Sequence, residues 1–229
     1  MKKSILLSIT MALALGFTSA LKASDLLYNE PLFVSGYNWA GPYAGIEAGG
    51  SWSAQRWTAA GGVSTGNFTG SGGFAGGTLG YNWQNGKWVL GVEGDLSWAD
   101  ISAVDTTTGG CGVGTPCNAQ INWFGTFRVR GGYVQDNFLL YLTGGAAVAE
   151  IQNSQVLLSP LATATTTTGG FAVGAGGEMA LTKNLSAKLE YLYLDFGQTP
   201  FCPAAGCGVT VVSDYTRAHI VRAGLSYKF

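Results

Sequence analysis

Four cysteines, one histidine and ten ionic residues set at strand-like spacing are the groups that could do chemistry in this 229-residue chain. The cysteines form two close pairs, Cys111 with Cys117 and Cys202 with Cys207. Four cysteines allow three pairings. The local bridges Cys111–Cys117 and Cys202–Cys207 fit the reach of a disulfide best, and each would brace a loop tip. A four-thiolate zinc site matches neither the spacings nor an oxidising compartment. His219 is the sole imidazole. Nucleophilic catalysis needs a base beside a nucleophile or carboxylate, and a single histidine on an outward face provides none, so the chain reads as a non-enzyme. The bland role for His219 is an interfacial aromatic. An axial haem ligand is the alternative, with Trp57, Phe68 and Phe201 as stacking groups. No metal-ligand cluster is visible, and no cofactor is expected otherwise.

The ionic set comprises Glu47, Glu93, Asp95, Glu178 and Glu190 against Arg128, Arg130, Lys188, Arg222 and Lys228. Each shares one strand face with polar residues and opposes an apolar face. Val221, Ala223, Leu225, Tyr227 and Phe229 alternate with Arg222, Ser226 and Lys228. Phe127 and Val129 alternate with Arg128 and Arg130, and Leu189 and Tyr191 with Lys188 and Glu190. Five acids facing five bases predict a salt-bridge network that plugs a narrow lumen, since buried charge is costly unless paired. A narrow polar conduit for small solutes is the functional alternative. Glycines at 45, 49, 76, 125, 131, 174 and 176 are expected to make room for long arginines or to ease sheet curvature.

These faces require strands. Alternation and turn residues place eight, at 42–53, 71–84, 87–101, 120–134, 137–152, 169–182, 185–197 and 214–229. Tight connections at Asn85-Gly86, Gln135-Asp136 and Lys183-Asn184 alternate with long ones at 54–70, 102–119, 153–168 and 198–213. Four long loops at one end and three short turns at the other describe an all-β, eight-stranded antiparallel up-and-down transmembrane barrel. Lipid faces its apolar side, and Trp52, Trp83, Trp88, Trp98, Tyr133 and Tyr227 form interfacial girdles. His219 falls near the external rim. An eight-stranded barrel is just wide enough for its own side chains, so a wide diffusion pore is excluded. A soluble β domain with the two faces reversed is the remaining rival.

Composition agrees. Hydrophobic residues make up 47% and charged residues 11%, with 36 glycines, against about 25% charged in ordinary soluble domains. That excludes disorder. A formal charge of −1 without a basic cluster excludes nucleic-acid binding. Lys2 and Lys3, the apolar run from Ile5 to Phe17 and the small residues Thr18-Ser19-Ala20 mark residues 1–20 as a secretory signal, with cleavage after Ala23 as a second option. Residues 24–40, interrupted by Pro31 and Gly36, are a periplasmic lead-in without a strand, and 41–229 form the barrel.

Four segments carry a resemblance: Tyr37-Asn38-Trp39-Ala40-Gly41-Pro42-Tyr43-Ala44-Gly45, Trp123 to Gly131, Glu190 to Tyr193, and Val221-Arg222-Ala223-Gly224-Leu225-Ser226-Tyr227-Lys228-Phe229. Together they resemble the small opacity-type outer-membrane β-barrel proteins of alphaproteobacteria, a family of surface antigens, porin-like proteins and haemin-binding proteins. The resemblance covers most of residues 37–229. The cysteine-bearing loops depart from the family's cysteine-poor pattern. It implies a structural and surface-interaction protein in the outer membrane of a Gram-negative bacterium, with haem or another small ligand as the alternative. The ending, through Arg222, Gly224, Tyr227 and Phe229, looks like the signal read by the barrel-insertion machinery. Expected partners are outer-membrane lipid, that machinery, and an extracellular ligand or host surface.

Overall fold

Residues 36–59, 68–105, 117–155, 162–202 and 211–229 are described by the computed structural model. The secretory signal, most of the lead-in and the loop cysteines Cys111 and Cys207 lie outside them. Cys117 and Cys202 stand at strand ends whose side chains are likewise not described.

Strands β1 (Gly41–Ala59), β2 (Phe68–Asn85), β3 (Trp88–Asp105), β4 (Cys117–Gln135), β5 (Phe138–Gln155) and β6 (Ala162–Ala180) pair in sequence order, all antiparallel. They are followed by β7 (Leu185–Asp195), β8 (Thr199–Cys202) and β9 (Val211–Lys228). β7 and β8 both pair with β9 and are two pieces of one stave. The break falls at Gly197, whose φ is 63° and whose N–H donates to Asp195 Oδ1 at 2.9 Å. β9 then pairs with β1, from Tyr43↔Lys228 to Ala59↔Val211, and closes an eight-stave barrel. The tight turns carry left-handed residues, Gly86 (φ 58°) and Asp136 (φ 57°), which favour glycine and aspartate in such positions.

The strands are longer at the external end than alternation alone predicts. β6 begins at Ala162 rather than near 169, and β1 runs on to Ala59. Strands of 18 to 19 residues at about 3.3 Å per residue and a tilt near 40° extend about 45 Å along the axis, against an apolar band about 25 Å tall. The polarity of the faces shows where the excess lies. On β3, Leu96 and Trp98 point outward and are exposed, and Glu93, Asp95 and Ser97 point inward and are buried. Further along the same strand, Asp100 and Ser102 are exposed, and Ile101 and Ala103 are buried. On β5, the outward run Leu140, Leu142, Ala146 gives way to Glu150 and Gln152, and the inward face to Ala149 and Ile151. The lower tier therefore shows lipid its apolar face, and the upper tier shows water its polar one.

Exposed aromatics bound the lower tier. Trp83, Trp88, Tyr133, Phe138, Tyr227 and Phe229 ring the turn end; Trp52, Trp98 and Phe171 stand at the inversion. Trp52 and Trp98 thus lie in mid-strand rather than near strand ends, because the strands continue past them.

Candidate functional site

The barrel axis is filled in three levels. The middle one is the ionic network. Arg128 is fully buried; its Nη2 lies 2.5 Å from Glu93 Oε1 and 3.0 Å from Asp95 Oδ2, and its Nη1 lies 3.0 Å from Glu190 Oε1. Arg222, equally buried, holds Glu190 at 2.5 Å and Asp95 at 3.3 Å, and donates through Nη1 to Glu47. Lys188 Nζ reaches Glu47 at 3.1 Å and Glu93 at 3.4 Å. Thr126 donates its hydroxyl to Asp95 and accepts from Arg128 Nε. Arg130 binds Glu178 at 3.0 Å and Asn82 Oδ1 at 2.9 Å. Its guanidinium carbon is 4.6 Å from the Tyr43 ring centroid and 5.2 Å from that of Tyr141. Those two rings lie across Gly80 and Gly176, where any Cβ would collide with them. Tyr43 in turn donates to Glu93 Oε2 at 2.7 Å.

Nine of the ten ionic residues read from the sequence meet here: Glu47, Glu93, Asp95, Glu178 and Glu190 with Arg128, Arg130, Lys188 and Arg222. Lys228 does not. It is partly exposed at the turn end, its ammonium donating to Asn38 O and lying 4.4 Å from the Tyr37 ring centroid. It has the right parity but belongs to the last rung, past the network. Five acids thus face four bases. Gly131 points outward with open space where a Cβ would stand, so of the two roles expected for it, making room for an arginine does not apply.

The external level is apolar. Phe74, Ile101, Ile121, Phe124, Ile151, Leu192, Leu194, Phe196 and Ile220 form one buried cluster with several alanines. Phe74 and Phe124 meet edge-on, with centroids 5.1 Å apart. Sequence reasoning missed this level, although Leu192, Leu194 and Ile220 have the parity of Glu190 and Arg222.

The turn-end level is an aromatic floor. Tyr37 and Trp39, placed by the sequence in the lead-in and in the first segment of the family resemblance, are buried with Val89, Val134, Leu139, Tyr141 and Ala180. Trp39 N–H donates to Gln84 Oε1 at 2.6 Å, and its carbonyl accepts from Asn82 Nδ2 at 3.2 Å. Burial, reinforced by the charge of Glu178, pushes the Tyr37 phenol up to about 12. A hollow of about 10 Å³ remains between Tyr37, Trp39, Tyr43, Asn82, Glu178 and Lys228, enough for about one water.

His219 sits on the outer face at the girdle rather than near the rim. Its Nδ1 is 2.7 Å from Tyr191 Oη, and its ring stacks on Trp52 at 5.6 Å and 8°. Tyr193 lies on its other side, 5.3 Å away. The side chains of Trp57, Phe68 and Phe201 lie outside the described residues. At the end of the chain, Arg222 points into the network, and Tyr227 and Phe229 are exposed and pack edge-on at 5.5 Å. Gly224 faces Lys188, whose stem runs 3.1 to 3.3 Å from where its Cβ would be.

Comparison with known proteins follows the same lines. The family described as outer membrane protein beta-barrel domain matches residues 10–229. The chain is 33% identical to the 31 kDa outer-membrane immunogenic protein of Brucella melitensis biotype 1, over 99% of this chain and all of that one. It is 35% identical to a 22 kDa outer membrane protein of Rhizobium leguminosarum bv. viciae, over 67% of this chain and 68% of the relative. Among solved structures, the outer membrane protein OprG of Pseudomonas aeruginosa superposes with a TM-score of 0.50 at 13% identity, covering 87% of this chain and 99% of that one.

Proposed function

The chain belongs to the outer-membrane β-barrel family, and from that premise we propose that it is a structural and surface-presenting protein that neither conducts nor catalyses. It is a closed, plugged barrel whose four external connections meet the surroundings of the cell. The observation that carries this reading is the filled axis. A solute would have to displace Arg128 and Arg222 from their carboxylates, part the Phe74–Phe124 layer and lift Trp39 from the floor. The levels interlock, and the external one, filled by Phe74, Phe124, Leu192 and Ile220 among others, offers an ion mostly apolar side chains.

Outer-membrane lipid covers the lower tier, and the insertion machinery reads the last strand. Tyr227 and Phe229 present the outward apolar edge that such recognition needs, while Arg222 is committed to the core. The setting of His219, held by Tyr191 and stacked on Trp52, is that of an interfacial aromatic rather than an axial ligand. Planar-bilayer recording of the pure folded protein tests the proposal. The expected result is no steady current; discrete conductance steps would establish a conduit instead.

A further inference from the structure

We propose that residues 37–40 are a strap that locks the β1–β9 seam from the periplasmic side, docking only after the barrel has closed. The seam joins staves from the two ends of the barrel sequence, Tyr43↔Lys228 being the first pair. It is the pairing with the largest separation along the chain, so its closure is the step least favoured by chain entropy.

The strap crosses the foot of this seam. On one side it grips β9: Asn38 O accepts from the Lys228 ammonium, and the Tyr37 ring lies against the same group at 4.4 Å. On the other it grips β2, through Gln84 at 2.6 Å and Asn82 at 3.2 Å. β1 lies between, so the strap bridges both neighbours of the first stave. Lys228 is in turn fixed by the last turn, its N–H donating to Asn184 O at 2.7 Å and its carbonyl accepting from Asn184 Nδ2 at 2.8 Å.

The timing follows from where Trp39 is buried. It belongs to one buried cluster with Val89, Val134, Leu139 and Ala180, contributed by β3, β4, β5 and β6. That pocket exists only when the far staves have come round to face the start of β1. A terminus that merely filled space would stabilise all staves alike. This one ties the far wall and β2 to the closing strand, so its loss is felt first at the seam.

Amide hydrogen exchange on the full chain folded in detergent micelles tests this, with Lys228→Met, which keeps the apolar stem and removes the charge. Exchange at the amides that bond across the seam, Ala44, Tyr227 and Phe229, is expected to rise about tenfold, as for one lost charge-assisted hydrogen bond. The β5–β6 pair at similar depth, Leu140 with Gly177, is expected to keep its protection. Unchanged seam exchange, or an equal rise in every stave, overturns the proposal. Trp39→Ala supplies the timing. Contacts formed after the transition state alter unfolding and not folding, so unaided refolding is expected at the parental rate and loss of the heat-resistant gel band to be faster. A slowed refolding would place Trp39 ahead of closure and overturn the proposed order.

Discussion

Arg128→Met removes one cation from the centre of the network while keeping most of its volume. The guanidinium is fully buried and touches three carboxylates, Glu93 at 2.5 Å and Asp95 and Glu190 at 3.0 Å. Breaking a buried ion pair from one side costs about 3–5 kcal/mol, because the partner charge is left without compensation. Here Arg222 still holds Glu190 at 2.5 Å and Asp95 at 3.3 Å, and Lys188 still holds Glu93 at 3.4 Å. The lower end, about 3 kcal/mol, is therefore expected, or roughly two decades in the unfolding equilibrium. Adding Glu190→Gln removes a carboxylate that has lost one of its two guanidinium partners, so the double variant is expected to lose about 1–2 kcal/mol less than the two single losses together. Urea unfolding of liposome-folded protein, followed by tryptophan fluorescence in both directions, measures all three. A water-filled conduit would screen the same pairs to roughly 0–1 kcal/mol. A single loss below about 1 kcal/mol, or singles that simply add, would refute the dry and cooperative plug.

Three further perturbations address the other levels. Leu142→Lys, at a residue 71% exposed on the lipid face, is expected to cost about 2–4 kcal/mol of folding free energy in liposomes, and Thr165→Lys on the upper tier no more than about 0.5 kcal/mol; equal penalties would refute the polarity inversion. Phe124→Ala empties part of the apolar level and is expected to cost about 3–5 kcal/mol in the same urea assay; a loss under about 1 kcal/mol would mean that this layer is loosely packed. Deleting Phe229 is expected to lower the amount reaching the outer membrane in cells while leaving unaided refolding in detergent unchanged; parallel losses in both would make the residue a stabiliser rather than a recognition element.

The ring of staves and nine of the ten network residues were legible because both follow from one alternation. Ionic groups that share a face every second residue have to look away from lipid, and Arg128, Glu190 and Arg222 needed no more than that to be placed. Lys228 obeys the same parity and still falls outside the network: parity fixes a face, whereas depth depends on how far the last rung lies below the others. The strap was not legible, since Tyr37 and Trp39 are buried without any regular element to give them a period; two aromatics just ahead of the first strand were the only available sign.

The upper tier was hidden for a different reason. Its segments, such as Ala162 to Thr168, consist of alanine and threonine ending in four threonines in a row, a contrast too weak to separate a strand from a loop. More basically, the rule itself changes sign there. β3 carries Leu96 and Trp98, then Asp100 and Ser102, on one face, and Glu93 and Asp95, then Ile101 and Ala103, on the other. Read with a single assumption about what lies outside, half of that strand contradicts the other half. Read with lipid below Trp98 and water above it, these eight residues satisfy the same requirement, that the face opposite the solvent bury what the solvent rejects. The inversion point is set by the edge of the bilayer, a boundary condition supplied by the membrane that a rule tuned to one solvent passes over.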